Sequence, residues 1–403
     1  MSQTVKVWMI SNFWGLPSRG NGRFDTLMQA MRADGMEVVA FTSSFSHQLK
    51  RHLLPNEVPA GFNLIHEPGY AGNASMVRLL SHVSFCKNLV KALRKRLQYE
   101  RPDLIYVACP PTLTARGVIS IAKQFDIPCI ADVQDLWPEG LRVAVPKAGH
   151  SLFSLATTPW LALENSVFRN APSVISVSKT YSKRIDTVRR QGETPYYYLG
   201  EQVQSIPYCT CRESKRLEII YIGTLSFSYD IHTFIKACAR IKEMFPKAQA
   251  TILGGGPHED EFRSLNGQLG EPVTFGGYLP KDELSMYMSS SLVAVNAIVA
   301  SSATSLPNKI FHYAACGLPI VNSVQGELAD LLSCSNAGLQ YEANNVASLV
   351  SSLTKIMLLD KSQYEAMARG ARNMAEKYGD RALIEPAIIS HVRRVLDERT
   401  SSL

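Results

Sequence analysis

Long apolar runs are scarce in this 403-residue chain. The most hydrophobic stretches, such as SLVAVNAIVA from Ser291, are shorter and more polar than the roughly 20 residues a membrane-crossing helix needs. VKVWMI follows Met1 almost at once, so no secretory leader is expected, and the reading is a soluble or peripheral protein. Cysteine pairs at metal or redox spacing are also missing. Most of the eight cysteines sit in apolar strand or helix patterns, and Cys209 and Cys211 are one residue too close for such a pair. Reduced cytosolic thiols and no metal centre are expected. Charge of one sign is only mildly in excess, at +7. That favours anionic ligands or a negative membrane surface, and without an aromatic-interleaved basic array it excludes nucleic acid.

What is present is a rhythm of short apolar strands and helical segments. VKVWMI, MEVVAFTSS, PDLIYVACP, IPCIADV and PSVISVS read as strands bounded by Pro, Asp or Ser, with a helix from Arg23 to Ala33 after the first. The rhythm restarts after Tyr208 with LEIIYIG, AQATILGGG, PVTFGGYL, SLVAVNAIV and LPIVNSV. Helical patterns over Asn345–Leu359 and Ser362–Tyr378 follow. Strands alternating with helices predict parallel sheets covered on both faces. The expected domains are 1–200 and 201–382, both doubly wound, with a ligand cleft at the carboxyl ends of their strands, and a terminal helix over 383–403.

The chemistry-bearing residues cluster at those strand ends. PSRGNGRF places Gly20 and Gly22 after the first strand, where backbone amides approach a phosphate and Arg19 or Arg23 adds charge. The third glycine of a dinucleotide fingerprint is absent, and a plain turn is an equal reading. Gly223 and Thr224 end a strand of the second domain, and Gly254 and Gly255 end another. In SLPNKIFHYAACGLPIV, Ser305 and Pro307 read as a helix start and Gly317 as its stop, with Lys309 in the first turn as a phosphate partner. His312 lies three residues beyond Lys309 and can hydrogen-bond ribose hydroxyls. In DVQDLWPEG, Asp135 and Glu139 are candidates to orient a sugar hydroxyl or accept a proton, against a reading in which Asp caps a loop over Trp137. His47 and Lys50 are candidate acceptor ligands. The basic stretch CKNLVKALRKRLQYER reads as a solvated helix face, or as an interfacial helix on anionic lipid.

Together these stretches resemble the retaining nucleotide-sugar glycosyltransferases of the family 4 type, which have the GT-B architecture. The likeness runs over nearly the whole chain and is nearest to a bacterial cell-surface polysaccharide subgroup. That subgroup carries a DLWPE-like stretch, here Asp135 to Glu139, and a P-x-K-[IL]-F-x-Y-x-A-x-G-x-P helix, here Pro307 to Pro319. The resemblance implies a nucleotide-diphospho-sugar donor, UDP-linked, on the second domain. Gly223, Thr224 and Lys309 would lie near the phosphates, the glycines from Gly254 near the base, and the Gly20–Gly22 loop would approach the diphosphate. No metal or other cofactor is implied. It further implies a C-terminal helix crossing back to the first domain, and transfer with retention to a glycan or lipid-linked acceptor at the inner membrane face. Where relatives carry two glutamates eight positions apart, this chain has Thr304 and His312, and neutral hydroxyls of the run from Ser301, including Ser305, replace the first. A sugar-nucleotide epimerase and a non-catalytic transferase-like partner are the alternative readings.

Overall fold

The computed structural model describes residues 4–14, 22–71, 75–138, 140 and 150–400. It divides into two compact units. One comprises the chain up to Pro138, Ser154–Tyr197 and the chain from Leu383, and Tyr198–Ala382 belongs to the other.

The first unit is built on β1 (Lys6–Ser11), β2 (Glu37–Ser43), β5 (Phe62–Ile65), β6 (Leu104–Cys109), β7 (Cys129–Val133) and β8 (Ser173–Ser176). They form one parallel sheet in the order β5-β2-β1-β6-β7-β8. A small hairpin, β3 (Phe45–Ser46) and β4 (Arg51–His52), follows β2. The central strands are buried at nearly every position, as a sheet covered on both faces requires. The cover is α1 (Gly22–Ala33), α2 (Met76–Arg96), α3 (Thr112–Gln124), α4 (His150–Asn170) from Ser154 on, and α5 (Lys179–Arg189).

In the second unit β9 (Glu218–Ile222), β10 (Gln249–Leu253), β11 (Thr274–Gly277), β12 (Val293–Asn296), β13 (Ile320–Asn322) and β14 (Gly338–Gln340) repeat the plan, in the order β11-β10-β9-β12-β13-β14. Its helices are α6 (Ile231–Met244), α7 (Glu259–Gln268), α8 (Lys281–Ser290), α9 (Lys309–Ala315), α10 (Glu327–Cys334), α11 (Val346–Met357) and α12 (Lys361–Tyr378). The last helix, α13 (Arg381–Thr400), buries Ile388 and Val392 in the core of the first unit, beside Phe24, Leu27 and Tyr106. No helix of the described residues is long and apolar enough to cross a membrane.

Two sequence expectations change here. The helix after Thr304 starts at Lys309 rather than at Ser305–Pro307. Its first turn is entered by a bond from the Ile310 amide to the Pro307 carbonyl, and the Asn308 side chain makes no cap. Arg23 is not a solvent-facing phosphate ligand. It is buried, donating to both oxygens of buried Asp132 at 2.7 and 3.2 Å and to the Tyr197 carbonyl at 2.9 Å. The basic stretch from Cys86 forms the rear of the longer α2. Phe85, Leu89 and Leu93 face the core, while Arg94, Lys95 and Arg96 end the helix, where its dipole favours positive charge. Arg96 pairs with Glu100.

Candidate active site

The end of β9 organises the second unit's site. Gly223 follows Ile222 with φ 147°, and a Cβ there would stand 3.1 Å from Tyr221 Oη and 3.3 Å from Lys309 Nζ. Gly254 has φ 127°, and a Cβ would fall 2.2 Å from the Gly223 carbonyl oxygen. Only glycine permits this approach, which brings two strand-end turns into backbone contact. The Gly223 amide donates to Leu253 and the Gly254 amide to Gly277, both carbonyls of neighbouring strand ends. The amides of Thr224 and Gly255, each one residue further, have no such partner among the described residues. Those two N–H groups, rather than those of the preceding glycines, are open to an anion.

Lys309 reaches the same point from α9. Its Nζ donates to the Ile222 carbonyl at 3.0 Å and lies 4.2 Å from the Tyr221 ring centroid and 4.9 Å from that of Tyr229. No carboxylate of the described residues forms an ion pair with it. Burial without a counter-charge lowers its pKa to about 7. Tyr313, four residues on and on the same helix face, accepts from the Ile222 amide at 2.8 Å. Sequence reading did not single out Tyr313, although its i+4 spacing from Lys309 was the available signal. Tyr313→Phe takes the partner from a part-buried amide and is expected to lower unfolding stability by ~1–3 kcal/mol, read from urea midpoints.

His312 turns elsewhere. A residue three positions on is rotated by roughly 60° from Lys309 about the helix axis. Buried His312 places Nε2 2.9 Å from Ser285 Oγ of α8. Burial lowers its pKa, so it is neutral and able to donate or accept. Thr304 Oγ1 lies 2.9 Å from Ser302 Oγ, and both line a cavity of about 530 Å³ with Ser323, Gln340 and Tyr341 at the ends of β13 and β14. Ser305 is buried just before α9.

In the first unit the structure gathers His47, Lys50 and the residues around Asp135 on a set of aromatic rings. His47 Nδ1 is 2.6 Å from Tyr70 Oη, and Lys50 Nζ is 4.8 Å from the Tyr70 ring centroid. Burial, then Lys50 and Arg78, lower the His47 pKa to about 4. Arg78 lies over the Phe13, Tyr70 and Trp137 rings, and His82 stacks on Trp137. Arg78 and His82 were not singled out from sequence; His82 sits on the buried stripe that continues through Phe85 and Leu89. Asp135 accepts from the Leu136 amide at 2.9 Å, from Trp137 Nε1 at 3.1 Å and from Tyr181 Oη at 3.4 Å. These are the bonds of a carboxylate that orders its own loop and fixes Trp137. Gly22 opens α1, while Gly20 and Glu139 lie outside the described residues. Cys211, Glu213 and Glu365 bring metal-capable atoms within 4.8 Å of one another, with Glu213 paired to Lys361 at 2.7 Å.

Comparison with known proteins bears on the fold and the family. Residues 21–191 match the model of a glycosyl transferase 4-like domain, and residues 216–358 match that of glycosyl transferases group 1. The putative colanic acid biosynthesis glycosyltransferase WcaL of Escherichia coli K12 is 26% identical over 165 residues, which is 40% of this chain and 41% of that protein. The chain thus spans about two fifths of that relative's length. Among solved structures, sucrose-phosphate synthase from Thermosynechococcus elongatus superposes with a TM-score of 0.75 at 18% identity, covering 98% of this chain and all of that one. Anabaena HepE in complex with UDP and glucose superposes at 0.69 and 15%, covering 97% and 100%. The two Rossmann-like units are those of a GT-B fold.

Proposed function

From a GT-B chain whose two halves match the two glycosyltransferase domain models, we propose a retaining glycosyltransferase that uses a UDP-sugar as donor. The observation that carries this is Lys309: a desolvated ammonium without a carboxylate partner, beside the open amides of Thr224 and Gly255. Such a set suits a diphosphate, and the structural likeness to HepE bound to UDP and glucose supports the choice of donor. During transfer the bond from the anomeric carbon to the diphosphate oxygen breaks and the acceptor hydroxyl oxygen bonds to that carbon. Negative charge builds on the departing diphosphate, whose oxygen takes up the acceptor's proton. Lys309 and the two amides stabilise that charge in place, so the reaction proceeds without a metal. His312 and the hydroxyls at Ser302 and Thr304 take the hydroxyl-binding roles that carboxylates hold in the family. The first unit takes the acceptor, a glycan or lipid-linked chain of surface polysaccharide synthesis, with WcaL as the supporting likeness. The enzyme works in the cytoplasm at the inner face of the membrane, in peripheral contact with anionic lipid.

Binding is expected to take up a proton. The free Lys309 has a pKa of about 7, and a diphosphate beside it raises that value. Above pH 7 the ligand therefore binds together with a proton, and affinity falls by up to about tenfold per pH unit. Calorimetry in two buffers of different ionisation enthalpy measures the uptake. The function itself is tested by incubating the protein with a UDP-sugar panel and membrane extract. Sugar incorporation supports transfer, and epimerised UDP-sugar without acceptor supports the epimerase alternative.

A further inference from the structure

His312 can serve a ribose hydroxyl only through a ring nitrogen that is still open, and its neighbour on α8 decides which one that is. Ser285 is buried there, and its Oγ bonds on two sides. It donates to the Lys281 carbonyl, one turn back on the same helix, at 2.9 Å. A hydroxyl has a single hydrogen, so toward His312 Nε2, 2.9 Å away, it can only accept. Nε2 therefore carries a ring proton. Burial lowers the pKa of the ring; of the charges that act on it, Glu201 raises the value and Lys281 lowers it, and these two pair with each other at 2.8 Å. A neutral ring holds one proton, so Nδ1 is bare.

Nδ1 is also the open nitrogen. It has no hydrogen-bond partner among the described residues, yet it is not one of their partnerless atoms sealed from solvent, so it keeps accessible surface. A bare imidazole nitrogen presents one lone pair in the plane of the ring, where a carboxylate presents two oxygens. It meets a group that donates, and one such group at a time. An alcohol hydroxyl qualifies; a carbonyl or phosphate oxygen does not. His312 thus supplies the acceptor chemistry of a carboxylate, but to one hydroxyl.

We propose that Ser285 is a positioning residue that fixes His312 as the Nε2–H tautomer, so that Nδ1 accepts from a single hydroxyl of the donor's ribose. The proposal rests on the reading of this unit as the UDP-sugar site. Long-range ¹H–¹⁵N NMR of the histidine rings at pH 8 reads the tautomer in the free protein. The expected result is a protonated Nε2 and a bare Nδ1 at His312; an Nδ1–H ring overturns the proposal. UDP and 2′,3′-dideoxy-UDP are then titrated into the wild type, Ser285→Ala, His312→Ala and the double variant. The wild type is expected to prefer UDP about fivefold, the worth of one hydrogen bond. Ser285→Ala leaves the Nε2 proton without its acceptor and frees the ring to change tautomer, so the preference falls towards unity. In the His312→Ala background the same substitution changes nothing further. A purely structural Ser285 would weaken both ligands alike and leave the preference intact, and that result overturns the proposal. UDP binding beside an Nδ1–H ring sinks this assignment alone, and a folded chain that binds neither ligand sinks the transferase reading with it.

Discussion

Lys309→Met abolishes the thermal stabilisation that UDP confers and lowers transfer by about 10²–10³-fold, the usual cost of removing one preorganised charge-stabilising donor. Methionine keeps the unbranched stem against Tyr221 and Tyr229 and removes only the ammonium. The free protein is not expected to suffer. With a folded pKa of about 7 against an ordinary 10.5, the native state favours the neutral amine, so wild-type stability rises as pH climbs from 7 towards 10.5. The variant, which has no amine to charge, is therefore most advantaged below pH 7, and that advantage fades above pH 10. Melting curves at pH 6 and pH 9, with and without UDP, check both halves. A variant that still shifts with UDP would remove Lys309 from the site.

The second large effect concerns Arg23. Replacing it by methionine leaves Asp132 buried without its cation, retaining the hydrogen bond from Tyr106 at 2.8 Å. Breaking a buried pair from one side costs ~3–5 kcal/mol, whereas replacing both members with apolar groups recovers much of it. Arg23→Met is therefore expected to lower the urea midpoint sharply, and Arg23→Met with Asp132→Leu to restore most of the loss. UDP affinity per folded molecule should stay unchanged in both. Lost affinity at unchanged stability would return Arg23 to the phosphate role that its position after the glycine-rich loop suggests.

Most of the architecture was legible because its signals are local. Buried parallel strands show as short apolar runs, and helices such as α11 and α12 begin at Asn345 and Asp360, whose side chains cap them. Lys309 stood out in the sequence because a cation at a strand-to-helix turn points to one chemistry. Its partners were not. That Gly254 closes on Gly223, and that the open amides belong to Thr224 and Gly255, follows from neighbouring strands in the sheet, not from spacing along the chain. Arg23 was misleading for the same reason: nothing within its own segment shows Asp132, 109 positions away. The start of α9 was obscured by a proline that suits a first helical position but here precedes the helix. His82 carried no local signal beyond its place on an apolar stripe.

Titration of UDP into the folded protein at pH 8, in two buffers of different ionisation enthalpy, decides whether Lys309 is the diphosphate's partner. The expected result is saturable binding with uptake of close to one proton per UDP, lost in Lys309→Met. Binding without proton uptake, or no binding by any nucleoside diphosphate to a folded chain, would contradict it.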